Sequence, residues 1–458
     1  MNELKQFPIP NDWKWTTIGK IMNTYRNNVE PKDSPEELFN YLSIENIESN
    51  TGNLVKFSPT EGKKIQSAKL RFSTSDVLIS KLRPYLNKVL VPDFSGISAT
   101  DLIPLRPINE DIERKYVAAY LRWQKVVRYL SSRMRGEQLP RVSTGDILKI
   151  SIPLPPILEQ QRIAKKIDYS RNQIVQVNEE LDNVLSLMRT FRRTVLLTAF
   201  QGRLIPSIKT DTTFMIKKID GERKKLTSSE IDESPETEVS EINDFVDEIS
   251  SNIPKHWSLM RLENICYKIT NGGTPSTSVK NNFDPNGIPL IKVENVLSDG
   301  RVVLSEKQLR ISKEAHDKQS RSKISTNDVL VNVVGPPVGK IGLVTSEMND
   351  YNINQGLVLL RCVPSYNPKL LWYCLMSPWY YELMTRLSKG VRQLHIRKSS
   401  IAKIPIPVMP IKEQDLMVHR IVELFKTSQD VEDVVYSTKN RINSIEQSIL
   451  TSAFHGKL

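Results

Sequence analysis

The sequence predicts a mixed α+β chain. Two α/β globular domains are each followed by a long heptad helix, and the two helices form an antiparallel coiled coil around an internal pseudo-two-fold repeat. Three observations carry this prediction. Five blocks of sequence recur in the same order. Two stretches of roughly 45 residues place apolar side chains at alternating steps of three and four. The remaining sequence mixes short β-branched runs with helical periods.

The repeat comes first because it sets the boundaries. Ile9-Pro10-Asn11-Asp12-Trp13 returns as Ile253-Pro254-Lys255-His256-Trp257. Ile44-Glu45-Asn46-Ile47 returns as Val293-Glu294-Asn295-Val296, and Ser73-Thr74-Ser75-Asp76-Val77-Leu78 as Ser325-Thr326-Asn327-Asp328-Val329-Leu330. Ile152-Pro153-Leu154-Pro155-Pro156-Ile157-Leu158-Glu159-Gln160 returns as Ile406-Pro407-Val408-Met409-Pro410-Ile411-Lys412-Glu413-Gln414. Ala199-Phe200-Gln201-Gly202-Arg203-Leu204 returns as Ala453-Phe454-His455-Gly456-Lys457-Leu458. The chain therefore divides into a first globular domain (1–155), a central helix (156–204), an acidic polar linker (205–251), a second globular domain (252–409) and a C-terminal helix (410–458).

Within each globular domain the elements follow from local pattern. Residues 76–80 and 327–334 carry short β-branched and apolar runs, Val77-Leu78-Ile79 and Val329-Leu330-Val331, which predict buried strands. Residues 115–130 and 368–387 carry apolar side chains at helical spacing and predict one helix each. In the central helix, Ile163, Ile167, Ile174, Val177, Leu181, Val184, Met188, Phe191 and Val195 form the stripe. In the C-terminal helix, Met417, Ile421, Leu424, Val431, Val435, Ile442, Ile445 and Ile449 repeat it. Gly202 and Gly456 stand where a C-cap belongs. Between the halves, Ser234-Pro235-Glu236-Thr237-Glu238 has no apolar period and reads as a solvated linker, with a short basic helix ahead of it over 217–226.

Composition narrows the function. Of 458 residues only three are Cys, so no disulfide framework is expected. The N-terminal residues lack a basic segment followed by an apolar one, and no apolar run reaches the ~20 residues of a membrane span, so a cytoplasmic protein without membrane association is the expectation. The net charge is +12, yet residues 230–248 carry nine acidic and no basic side chains, leaving +21 on the rest. A surplus of that size points to a polyanion, most often nucleic acid.

Catalytic chemistry finds no support. Gly335-Pro336-Pro337-Val338-Gly339-Lys340-Ile341 has the wrong glycine spacing for a phosphate loop, lacks the Ser or Thr that holds magnesium, and loses two backbone donors to proline. The five His share no metal-ligand spacing. No catalytic and no metal site is expected.

Basic and amide side chains do cluster, and Arg and Gln are the types that read guanine and adenine edges through paired hydrogen bonds. Three loop groups are candidate DNA contacts. One is the turn carrying Lys81, Arg83, Tyr85 and Lys88, with Lys340 in its second copy. Another is the segment with Arg133, Arg135, Gln138 and Arg141, returning as Arg392, Gln393, His395 and Arg397. The third carries Gly272, Thr274 and Ser276, whose glycine would allow close approach to a phosphate.

Taken together, the domain starts Ile9-Pro10 with Trp13 and Ile253-Pro254 with Trp257, the run Asp76-Val77-Leu78 leading into Lys81-Leu82-Arg83-Pro84-Tyr85-Leu86, the Pro155-Pro156…Glu159-Gln160 entry and the Ala199-Phe200-Gln201-Gly202-Arg203-Leu204 exit resemble the specificity subunit of Type I restriction–modification enzymes. The second helix departs at Lys412-Glu413-Gln414-Asp415, where the double Gln and Arg of Gln160-Gln161-Arg162 are missing. The resemblance implies a non-catalytic subunit in which each globular domain reads one half of an asymmetric, bipartite double-stranded DNA target. It implies that the helices dock two methyltransferase subunits, with restriction subunits joining them. S-adenosylmethionine, ATP and magnesium would then sit on those partners and none on this chain. A helix of some 40 residues is ~60 Å long, against ~34–36 Å for one duplex turn, so rod length would set the unread gap between half-sites. Competing readings are a coiled-coil nucleic-acid scaffold without sequence preference, an orphan specificity subunit outside active restriction, and a fused methylase; the sequence has no Asn-Pro-Pro-aromatic methyltransferase motif, which opposes the last.

Overall fold

The computed structural model describes residues 7–25, 27–208, 212–227, 240–390 and 394–458. The chain forms two compact units, one of Met1–Asn183 with Val434–Leu458 and the other of Val184–Asp433. Each unit holds one globular region, the N-terminal half of the long helix that follows it and the C-terminal half of the other long helix. The division thus falls inside the helices.

Eight described helices have eight or more residues: α1 (Arg114–Arg122), α2 (Gln124–Ser131), α3 (Ile157–Phe200), α4 (Thr213–Leu226), α5 (Ser240–Ser250), α6 (Pro368–Met376), α7 (Pro378–Leu387) and α8 (Ile411–Phe454). The single helices expected over 115–130 and 368–387 are each two. Ser377 is extended because Pro378 follows it and opens α7 at its first position. Trp123 is extended without a proline. The break turns its indole into the core, where Nε1 donates to Thr451 Oγ1 at 3.1 Å.

In the first unit, Met22–Thr24, Leu102–Pro107, Val77–Ser80 and Val89–Leu90 form an antiparallel sheet in that order. Asn28–Val29, Lys69–Phe72, Gly96–Ser98 and Tyr41–Leu42 form a second, with the last pair parallel. Lys14–Thr17 pairs with Ser151–Leu154, so the start and end of the globular region are joined. The second unit repeats this plan. Cys266–Asn271, Leu357–Cys362, Val329–Asn332 and Ile341–Leu343 form its main sheet, and Ser258–Arg261 pairs with Pro405–Val408. The predicted buried runs are the strands Val77–Ser80 and Val329–Asn332, each buried at every residue.

The recurring motifs have structural reasons. Asp76 accepts hydrogen bonds from Ser73 N at 2.6 Å and Arg106 Nε at 2.9 Å; Asp328 accepts from Ser325 N at 2.6 Å and Arg361 Nε at 2.7 Å. Each carboxylate locks the turn that opens the central strand. Asn46 and Asn295 accept from the backbone N of Ser43 and Lys292, closing a one-turn 3-10 helix in each unit. Gln160 Nε2 donates to Asp111 O and Pro155 O while its Oε1 accepts from Glu113 N. Gln414 does the same toward Met409 O and Asn367 N. These glutamines fasten the start of each long helix to its globular region. The helix ends are fastened by the exit motif. Gly202 and Gly456 have φ of 68° and 67°, and a Cβ on either would lie 2.0 and 2.3 Å from Cγ of Pro254 and Pro10. Glycine there meets both a left-handed backbone and close contact with the repeated Ile-Pro segment.

Within the first unit, Arg162 donates to Leu458 O at 2.8 Å, Arg171 pairs with Glu446 at 3.4 Å and Asp182 with Lys439 at 2.6 Å. Rising numbers on α3 meet falling numbers on α8, so the helix halves are antiparallel. In the second unit Arg192 pairs with Glu432 at 3.1 Å and lies over the Phe425 ring. Most of the heptad stripe faces inward. Val177 and Ile445 do not, at 39% and 52% exposed. At the second site Glu446 takes the inward place to reach Arg171.

The linker reading changes at its flanks. The 217–226 basic helix is there and longer, and α5 was not expected. Met215 and Ile219 of α4, and Ile242, Phe245 and Ile249 of α5, are buried in the core of the second unit. Their spacing of three and four is helical but sits among acidic and basic neighbours that hid it. The Ser234-Pro235-Glu236-Thr237-Glu238 core lies outside the described residues. No described helix is long and apolar enough to cross a membrane.

Candidate nucleic-acid interface

In the first unit, two of the candidate loops are built into one surface. The strand Val77–Ser80 runs straight into the 81–88 turn. Lys81 N donates to Asp101 O at 2.8 Å, Arg83 N to Pro140 O at 2.8 Å and Val142 N to Lys81 O at 3.1 Å. Arg135 and Arg141 exchange two backbone hydrogen bonds at 2.9 Å, closing a hairpin beside that turn. Arg83 sits in the left-handed region at φ 48°, an outlying backbone held by Pro84 after it and Pro140 across from it.

The side chains on this surface divide into two sets. Arg83, Tyr85, Arg133, Arg135 and Gln138 are exposed. Arg133 lies 4.5 Å over the Tyr129 ring. Hydrogen bonding from Ser143, with added attraction from Arg135 and Arg133, holds the nearby Asp146 carboxyl below its ordinary value. The other set is committed internally. Lys88 Nζ donates to Ile44 O at 2.8 Å, and burial lowers its pKa. Arg141 binds Asp101 through Nε and Nη2 at 3.0–3.1 Å, and Lys81 Nζ is 4.0 Å from the same carboxylate. Arg122, at the end of α1, turns inward onto Val89 O.

The second unit builds the same surface and brings all three candidate loops to one end of its sheet. Val333 N donates to Gly356 O at 3.0 Å and Gly272 N to Leu357 O at 3.1 Å, so both loops flank the start of one strand. Val334–Gly335 pairs with Leu394–His395, and Lys389 and His395 exchange backbone hydrogen bonds as Arg135 and Arg141 do. Lys340 Nζ reaches Val293 O at 2.8 Å, repeating Lys88 and Ile44. Thr274, Ser276, His395 and Arg397 are exposed. Thr274 Oγ1 donates to Gln355 Oε1, and Ser276 Oγ is 2.7 Å from Ser278 Oγ. Gly272 has a packing reason: a Cβ would lie 2.2 Å from the carbonyl oxygens of Ile353 and Asn354. Its lack of a side chain lets the sheet end pack. Arg392 and Gln393 lie outside the described residues.

Acidic partners escaped sequence reasoning. Asp101 carries no motif that marks it, and only the fold brings it to Arg141. In the second unit, α5 supplies Glu241 to Lys389 at 2.8 Å and Glu248 to Arg386 at 3.5 Å. Two cations beside the second hairpin, Arg386 and Lys389, are therefore neutralised within the unit.

Comparison with known proteins decides the family. The profile of the Type I restriction modification DNA specificity domain matches residues 10–186 and again 254–446. The chain belongs to this family. Both matched regions take in a globular region and most of the helix after it, in line with the duplication. Among relatives, the Type I restriction enzyme EcoBI specificity subunit of Escherichia coli is 30% identical over 342 residues, covering 72% of this chain and 61% of that one. The MjaVIII specificity subunit of Methanocaldococcus jannaschii is 22% identical over 469 residues, covering 100% of this chain and 95% of that one. Among solved structures, a chain from work on assembly and conformational transition of the type I R-M system aligns with TM-score 0.70 and 23% identity over 99% of this chain and 100% of that one. The HsdS subunit from Thermoanaerobacter tengcongensis aligns with TM-score 0.51 and 23% identity over the whole of both. In this specificity family the fold is the shared property that these structures support.

Proposed function

We propose that the chain is the non-catalytic DNA-recognition subunit of a Type I restriction–modification complex, each globular region reading one half of a bipartite target. The observation that carries this reading is the duplicated surface. In each unit a turn after the central strand and a hairpin beside it are tied by the same backbone bonds, in a chain whose family match is itself duplicated.

Recognition follows from the division of side chains. Lys88 and Lys340 hold their turns in place through carbonyls of the 3-10 helices, so loop shape is fixed before DNA arrives. Arg83, Arg133 and Arg135 offer cations to phosphates, which set register, and Gln138 offers an amide that pairs with adenine. The two surfaces differ in sequence: where one has Arg135, Gln138 and Arg141, the other has Lys389, Arg392 and His395. Two unlike surfaces read two unlike half-sites, giving an asymmetric target. The long helices dock two methyltransferase subunits, which hold S-adenosylmethionine, and restriction subunits add ATP- and magnesium-dependent chemistry in the cytoplasm. The family match favours this over a coiled-coil scaffold without sequence preference.

The test is substitution of Gln138 by alanine, with methylated adenines mapped in cells that carry the partner methyltransferase. Loss or relaxation of one half-site, with the other intact, supports the reading. Both half-sites unchanged would refute it.

A further inference from the structure

Helix α4 lies outside both regions that match the family profile. Its inner face is fixed to the second unit: Met215 and Ile219 are buried, and Glu222 Oε2 accepts from Ser365 N at 2.8 Å. The acidic Glu222 is thereby turned inward. The outer face carries Phe214, Lys217, Lys218, Gly221, Lys224 and Lys225, at helical spacings that put them on one side. Phe214 and the four lysines are exposed, Phe214 at 76%. The two lysine pairs are seven residues apart, about 10 Å along the axis. Between them stands Gly221, a residue that weakens a helix interior. Among the described residues nothing lies within 4 Å of where its Cβ would be, so packing among them gives no reason for the missing side chain. A backbone bare of side chain between two pairs of cations leaves room for a partner to come close.

We propose that this face is an auxiliary contact for the phosphate backbone of duplex DNA, adding affinity without sequence preference. Phosphates recur every ~3.4 Å of rise along a strand, so the stripe spans several of them. Four exposed lysines, with Glu222 turned inward and Asp220 half-buried, fit a polyanion better than an apolar protein surface. The proposal rests on the DNA-recognition reading, and the experiment separates the two.

The full chain, with its methyltransferase partner, is titrated with a fluorescent duplex that carries the target and long flanks, at several salt concentrations. The K217Q/K218Q/K224Q/K225Q variant keeps the inner face of α4 intact. Each phosphate left without its lysine lowers the slope of log K against log salt by about 0.9. The variant is expected to bind with a slope shallower by about 3–4 units while methylating the same motif. The fourfold Lys→Arg variant should keep the parent slope. If the unsubstituted complex binds DNA and the Gln variant changes its slope by less than one unit, the α4 proposal is overturned and DNA recognition stands. If the unsubstituted complex does not bind DNA, both fall. A variant that loses the methyltransferase and keeps the slope makes α4 a protein-docking face and also overturns the proposal.

Discussion

Replacing Asp101 by Asn probes whether the turn and hairpin of the first unit form one DNA-facing surface. Asp101 holds Arg141 through contacts of 3.0–3.1 Å and has Lys81 at 4.0 Å. The Arg141 side chain is 43% exposed and that of Asp101 21%, so solvent screens the pair. Such pairs are worth about 0.2–1 kcal/mol, and D101N should fold and melt close to the parent. The backbone bonds at residues 81, 135, 141 and 142 do not involve the carboxylate and should keep the loops in place. What changes is charge. If both released cations reach phosphates, the slope of log K against log salt steepens by up to about 1.8, or about tenfold in relative affinity between 50 and 200 mM salt. Anisotropy titrations with target and unrelated duplexes measure this, and the gain should appear on both. A slope that stays the same or becomes shallower would refute the placement of this surface on DNA.

Further outcomes follow from other contacts. Gln160→Ala and Gln414→Ala each leave a half-buried backbone N–H and a buried carbonyl without their partner, and should cost about 1–3 kcal/mol in urea unfolding. The hydrogen bond from Lys389 is the main cause that draws the Glu241 carboxyl down to about 2 from the ordinary 4.5. Because the folded value is depressed, the link is complete above pH 4.5 and is lost as pH falls toward 2. Hydrogen-exchange protection of α5 should fall over that window, and E241Q should flatten the change. Burial pushes the Cys266 and Cys374 thiols well up, so neither should react with a thiol reagent near neutral pH until the chain is unfolded. Labelling of either in the native protein would contradict the packing.

The repeat made most of the fold legible, because each recurring motif is a fastening. Ile-Pro with Trp and Phe-x-Gly recur together since the end of one helix packs on the start of the other half, as Gly202 does on Pro254. Ser-x-x-Asp recurs since the Asp locks the turn that opens a buried strand. The helix breaks were half legible: Pro378 announces one, while Trp123 breaks its helix through tertiary packing that no local pattern encodes. In α5, Ile242, Phe245 and Ile249 keep a helical period, but the surrounding acids made charge the stronger signal. At the candidate site, residue type identified cations and could not sort them. Lys88 and Lys340 look like Arg83 in sequence, and only the fold shows that they end on carbonyls. Asp101 and Glu241 were invisible for the same reason, since partners distant in sequence meet only after folding.

The most direct measurement is a genome-wide map of adenine methylation in cells that express this chain with the methyltransferase subunit from the same source. The account predicts a split, asymmetric motif with a fixed gap, lost when the chain is deleted and altered in one half by substitution of Gln138. A stable complex that methylates no such motif, or a motif indifferent to this chain, would contradict it.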